Sequence, residues 1–140
     1  MGLVKVVADI GLNRDDLQEI EFLVDTGSFY TFLPADLAES MGIDFPVASR
    51  VIMADSREAD IRVGVAYLRL QDREGGIMVA AMNVPMPLLG ASALEILGLK
   101  VDPVSEVLEH SRPFGPWALV GLVAFADTQQ DGSLREAKLE

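Results

Sequence analysis

Asp25 stands where an apolar run gives way to a polar turn, and this order has a chemical logic. Residues 22–24 are typical of a buried strand, and the following Thr26, Gly27 and Ser28 suit a tight turn. We therefore expect Asp25 to end the strand and face a cleft, with Gly27 leaving room for a substrate and Ser28 donating a hydrogen bond to the carboxylate. A carboxylate so placed can take a proton from water. The simpler alternative is an aspartate that only stabilises an ordinary β-turn.

Two further segments occur in an order that gives this motif more weight. Phe32-Leu33-Pro34 and the helical pattern of 35–42 follow the turn, and Pro87-Leu88-Leu89-Gly90 precedes a second helical pattern over 91–98. The order and spacing of these segments resemble those of retropepsin-like (clan AA) aspartic proteases, specifically single-domain members of the bacterial or archaeal type with one Asp-Thr-Gly motif per chain. The resemblance covers residues 3–102.

The resemblance implies a mainly β fold, with closed, barrel-like sheets, one or two short helices, and an active site on the two-fold axis of a dimer. It also assigns roles to residues in three segments. Asp25 would be catalytic, Thr26, Gly27 and Ser28 would form the active-site loop, Leu88, Leu89 and Gly90 would form the supporting strand, and Ala54, Asp55, Ser56, Arg57 and Glu58 would form the tip of a flap over the substrate. That flap tip contains no glycine and is strongly charged, so whether it closes on a substrate is left open.

Hydrolysis of a peptide bond by carboxylates needs two of them, one ionised and one protonated. The sequence has one Asp-Thr-Gly motif in 140 residues, so a complete site requires a symmetric homodimer in which Asp25 of each chain meets at the axis. The predicted function is therefore an aspartic endopeptidase, a hydrolase acting on peptides or proteins. The alternative is a catalytically silent module of the same fold that binds peptides or only dimerises. A hydrogen bond from Ser28 to Asp25 would move the activity optimum towards acid.

The dimer interface departs from that of viral relatives. Phe29 and Ala91 stand where those proteins carry a paired aspartate and arginine, so we expect the dimer to depend on apolar contacts instead. The apolar run over 117–125 either seals the dimer as a strand or packs on its own subunit, and the sequence leaves both open.

Composition limits the remaining possibilities. We expect one domain over residues 1–126 and a polar, flexible tail over 127–140. The net charge of −11 argues against nucleic acid and anionic membranes as partners. The chain has no cysteine and a single histidine, His110, which we expect at the surface, so neither a metal nor an organic cofactor is expected. A start without a signal-peptide pattern, and no run of membrane-spanning length, favour a cytoplasmic protein.

Local patterns predict the elements that position these residues. We expect Pro34 at the first position of a helix and Gly42 in the left-handed conformation that ends it. A second helix should begin with a capping box between Ser92 and Glu95 and end at Gly98. Strands are predicted over 3–10, 17–24, 47–53, 61–70 and 77–82, with turns over 11–16 and 71–76.

Overall fold

The structure is a computed structural model that describes residues 3–116. The mainly β prediction is confirmed, because this part of the chain folds into strands with two short helices. In chain order the elements are β1 (Lys5–Asn13), β2 (Asp16–Asp25), β3 (Thr31–Leu33), α1 (Ala35–Met41), β4 (Val47–Ile52), β5 (Glu58–Leu70), β6 (Arg73–Ala81), β7 (Leu88–Gly90), α2 (Ala91–Leu97), β8 (Leu99–Asp102) and β9 (Val107–His110). The apolar run over 117–125 and the tail over 127–140 lie outside the described residues, so their predictions stay predictions.

Seven of the strands form one sheet in the order β1-β2-β7-β3-β6-β5-β4, and β1 also pairs with β5. That extra pairing closes a ring of six strands, to which β4 is attached through β5 alone. Large apolar side chains that alternate along the strands fill the space inside the ring. The fully buried ones include Ile10, Phe22, Leu33, Leu68, Ile77 and Leu89.

The two long hairpins are tighter than the sequence predicts. β1 and β2 pair as far as Asn13 and Asp16, so the first turn is only two residues long, and the side-chain oxygen of Asn13 accepts the Asp15 amide at 2.9 Å. In the second hairpin Gly75 and Gly76 pair with Leu68 and Tyr67 of β5 instead of forming a turn. Predicted turns of six residues were wrong because each strand satisfies more backbone hydrogen bonds by continuing its ladder.

The helix ends follow the sequence in part. Gly42 has a φ of 74°, which confirms the predicted left-handed exit from α1. Gly98 ends α2 as predicted, and with a φ of 70° it also takes the left-handed conformation. Pro34 precedes the first helical residue instead of occupying it, and its carbonyl accepts the Ala38 amide at 3.0 Å. The capping box was wrong: Ser92 is already inside α2, and its hydroxyl donates to the carbonyl of Phe29.

Two arginines bind the carboxyl end of α2, a role that no local sequence pattern predicts. The side chain of Arg73 is 6% exposed, and its guanidinium donates to the carbonyls of Leu97 and Arg112, at 2.9 and 3.0 Å. Arg112 in turn donates to the carbonyls of Glu95 and Ile96, at 2.8 and 2.9 Å. Carbonyls at the end of a helix have no intrahelical partner, and the helix dipole there favours cations.

The β8–β9 hairpin adds a small second sheet after α2. His110 ends β9 at the surface, as predicted, with its Nε2 atom 2.9 Å from the carboxylate of Asp72 in the β5–β6 turn. Neither helix of the described region, 3–116, has the length and apolarity needed to cross a membrane.

Candidate active site

Asp25 is the last residue of β2, as the sequence predicts. β2 runs parallel to β7, with Leu23, Val24 and Asp25 in register with the predicted supporting residues Leu88, Leu89 and Gly90. The side chain of Asp25 is half-buried, and its Oδ1 atom accepts the amide of Gly27 at 3.1 Å. Strand pairing thus fixes the backbone of Asp25, and the turn fixes one oxygen of its carboxylate.

The residues after Asp25 form a turn whose outer side is open. Thr26 and Gly27 are exposed, and the amide of Ser28 closes the turn on the Asp25 carbonyl at 3.1 Å. The predicted bond from the Ser28 hydroxyl to the carboxylate is absent from this turn. That hydroxyl donates instead to the carbonyl of Tyr30 at 2.8 Å, because the chain turns into β3 there and brings this carbonyl within reach. The prediction of an activity optimum shifted towards acid depended on that bond, so the structure does not support it.

Thr31 is a supporting residue that sequence reasoning missed. It is fully buried at the start of β3, and its Oγ1 accepts the amide of Gly90 at 3.1 Å. Gly90 itself must be glycine, because a Cβ there would lie 2.2 Å from the carbonyl oxygen of Tyr30. In the sequence Thr31 is merely a β-branched residue before an apolar pair, a pattern typical of any strand.

The first turn of α2 holds the other side of the active-site loop. The amide of Ala91 donates to the Ser28 carbonyl at 2.6 Å, and the amide of Ser92 donates to the Phe29 carbonyl at 3.0 Å. The hydroxyl of Ser92 shares the same Phe29 carbonyl. The loop that carries Asp25 is therefore fixed from both sides, by β7 below and by α2 beside it.

The predicted flap is the hairpin of β4 with the first half of β5, residues 47–63, which we call the flap hairpin. Its tip spans Ala54 to Arg57, while Glu58 begins β5 and pairs with Ile52, so the predicted tip was one residue too long. Ser56 takes the left-handed conformation usually left to glycine, with φ of 72°.

Charged side chains bind one another along this hairpin. Asp55 accepts both the amide and the Nε of Arg57, at 3.1 and 2.6 Å. Arg50 on β4 pairs with Glu58 at 3.0 Å and with Asp60 at 2.9 Å across the hairpin. The charged side chains of the hairpin therefore have partners within it. In the tip, the two bonds from Arg57 to Asp55 stabilise a turn that contains no glycine. Between residues 3 and 116 there is no cluster of three or more acidic or histidine side chains that could hold a metal ion.

Comparison with known families decides the affiliation of the chain. The model of the family described as "gag-polyprotein putative aspartyl protease" matches residues 13–96, which is more than half of the sequence. The chain belongs to this aspartyl protease family. The match includes the Asp25 turn, the flap hairpin, Gly90 and most of α2.

One solved structure with a TM-score above 0.5 agrees with this assignment at the level of the fold. EIAV protease complexed with the inhibitor HBY-793 is similar with a TM-score of 0.59 and 14% identity, over 72% of this chain and 93% of that one. The solution structure of Simian Foamy Virus (mac) protease gives a TM-score of 0.49 and 18% identity, over 66% and 93% of the two chains. A search of curated proteins finds no significant match. The retropepsin-like fold is thus confirmed, while the bacterial or archaeal type stays a prediction.

Proposed function

We propose that the protein is an aspartic endopeptidase that acts as a homodimer, with Asp25 of each subunit in one active site. The observation that carries this proposal is the placement of Asp25 in an aspartyl protease family chain. It ends a strand in register with Gly90, and an amide of its own turn orients its carboxylate.

The chemistry follows from two carboxyl groups about 3 Å apart, which cannot both be ionised. The ionised group takes a proton from water, whose oxygen attacks the carbonyl carbon of the peptide. The protonated group donates its proton to the carbonyl oxygen, which gives a tetrahedral diol. The carboxyl group that took the proton of water then gives a proton to the amide nitrogen, while the other carboxylate takes a proton from a hydroxyl of the diol. The carbon–nitrogen bond breaks, an amine and a carboxylic acid leave, and the pair again holds one proton. The two apparent pKa values of such a pair belong to the dimer and not to one residue.

The surface around Asp25 supports a second copy as the partner. Thr26 and Gly27 are exposed on the single chain, and Phe29, two residues after Gly27, is 59% exposed. A phenylalanine this exposed gains from burial against an equivalent surface, and a two-fold axis through the loop brings like residues together. The apolar contact predicted from Phe29 is therefore part of this proposal.

Cleavage of a broad peptide library between about pH 3 and 7, a range that spans the titration of carboxyl pairs, tests the proposal. The wild-type protein should cut, Asp25→Asn should not, and the rate should rise with the square of protein concentration while the dimer is scarce. Asp44→Asn is the matched control, since Asp44 is exposed and outside the site. Peptide products also need checking against spontaneous acid cleavage at Asp102-Pro103. A stable dimer that cuts nothing would refute the proposal in favour of a peptide-binding module.

A further inference from the structure

Three aromatic side chains lead from the active-site loop towards the flap hairpin. The ring of Phe29 meets that of Tyr30 edge to face, at 5.1 Å between centroids and 80° between planes. Tyr30 meets Phe32 in the same way, at 6.4 Å and 82°. The backbone of Tyr30 is also fixed, because its carbonyl accepts the Ser28 hydroxyl. Tyr30 is therefore a rigid side chain mounted on the loop that carries Asp25.

The hydroxyl of Tyr30 reaches the flap hairpin. It lies 3.2 Å from the Oγ of Ser49 on β4, at hydrogen-bonding distance. Over residues 3–116 no other side-chain hydrogen bond joins the flap hairpin to the segment 25–33. β4 is the outer strand of the sheet and pairs only with β5, so this bond is a second, separate attachment for it.

The apolar contacts between the flap hairpin and the rest of the fold do not by themselves fix how far the hairpin lies from the active-site loop. Phe32, Ile61, Val63 and Ala80 form a small buried cluster, with Tyr30 and Val51 among the half-buried residues packed against it. Apolar contact is non-directional, so it permits sliding and tilting of the hairpin. A hydrogen bond is directional and fixes a distance. Ser49 lies opposite Ile61, so the bond acts directly above this cluster.

We propose that Tyr30 is a positioning residue that sets the height of the flap above Asp25, through its bond to Ser49. The inference rests on the proposed function. From Ser49 to the tip at Ala54 the strand extends about 16 Å, so a tilt of about 10° at Ser49 moves the tip by about 3 Å. The β4–β5 ladder continues from Ser49 and Ile61 to Ile52 and Glu58, so this part of the hairpin tilts as one unit. Loss of the bond changes how the flap meets a peptide and leaves the carboxylates in place.

Hydrogen exchange of the flap hairpin amides tests the positioning role without requiring activity. Tyr30→Phe and Ser49→Ala should each speed exchange over residues 47–63 by about fivefold, the equivalent of one ordinary hydrogen bond. The double variant should exchange no faster than either single variant, because both remove the same bond. Tyr67→Phe is the matched control: it removes the other tyrosine hydroxyl of the chain, which binds Glu74 away from the flap hairpin. Unchanged exchange in Tyr30→Phe, or additive effects in the double variant, would overturn the proposal.

Peptide cleavage kinetics provide the second measurement. Tyr30→Phe should raise KM about fivefold with kcat within twofold of wild type, since a misplaced flap weakens peptide binding more than proton transfer. Equal losses in kcat and kcat/KM would overturn the positioning role. If the wild-type protein cuts no peptide, the proposed function fails by itself, and the exchange comparison still decides whether Tyr30 holds the flap hairpin.

Discussion

Replacing Thr31 with valine should destabilise the protein, although the two side chains have almost the same shape. Thr31 is fully buried, and its Oγ1 is the acceptor for the Gly90 amide at 3.1 Å. Valine fills the same volume but leaves that amide without a partner in a site closed to water. An orphaned buried donor costs about 1–3 kcal/mol. A domain of this size has a free energy of unfolding of about 5–15 kcal/mol, so the loss is measurable.

Urea denaturation at one fixed protein concentration gives the magnitude, with Thr31→Ser as the control. Serine keeps the acceptor and loses one buried methyl group, which costs about 1 kcal/mol through lost packing alone. Hydrogen exchange at Gly90 separates the two causes, because its amide should lose protection in the valine variant and keep it in the serine variant. A valine variant as stable as the wild type, with Gly90 still protected, would refute the reasoning.

Three other substitutions test the supporting structure. Arg73→Met should lower the free energy of unfolding by about 3 kcal/mol, since two carbonyls lose a charged donor. The control Arg69→Met removes a surface ion pair with Glu74 and should cost at most about 1 kcal/mol. Equal losses of the two variants in urea denaturation would contradict this. Ser56→Gly should raise stability by up to about 1 kcal/mol, because glycine tolerates the positive φ, and Ser56→Ala should not; a less stable glycine variant in thermal unfolding would disprove it. The hydrogen bond from His110 holds the pKa of Asp72 below its ordinary value, so its stabilisation is present above the unfolded pKa of about 4 and is lost as pH falls through the lower folded pKa. Asp72→Asn should therefore lower Tm at about pH 6, with the difference closing in acid; a difference independent of pH would exclude this link.

Local patterns predicted the features whose cause is local. An apolar run before Asp25 fixes the end of β2, and the glycines at 42 and 98 end their helices because a left-handed exit suits no other residue as well. The resemblance placed the strand of Leu88, Leu89 and Gly90 beside the active-site loop, and the structure pairs this strand with β2 so that Gly90 is in register with Asp25.

The features that the sequence did not predict depend on hydrogen bonds between residues that are far apart in the chain. Ser92 has a capping pattern with Glu95, yet its hydroxyl binds the carbonyl of Phe29, which is 63 residues away in the chain. Arg73 looks like one more charged residue of a polar turn, but its partners Leu97 and Arg112 are 24 and 39 residues further along the chain. Hydrogen bonds of this kind depend on which backbone groups the folded chain leaves unpaired, and a sequence window does not contain that information.

The separation in sequence between the active-site loop and the helix that holds it has a consequence for translation of the chain. The amides that hold the active-site loop belong to Ala91 and Ser92, and their acceptors are Ser28 and Phe29. At about 5–20 residues per second, a ribosome adds the intervening residues in about 3–13 s. During that time Asp25 and β1 have been made, but the parallel strand β7 and the helix that holds the loop have not. A growing chain therefore cannot form the hydrogen bonds that hold the loop of Asp25 until Ala91 and Ser92 have been added.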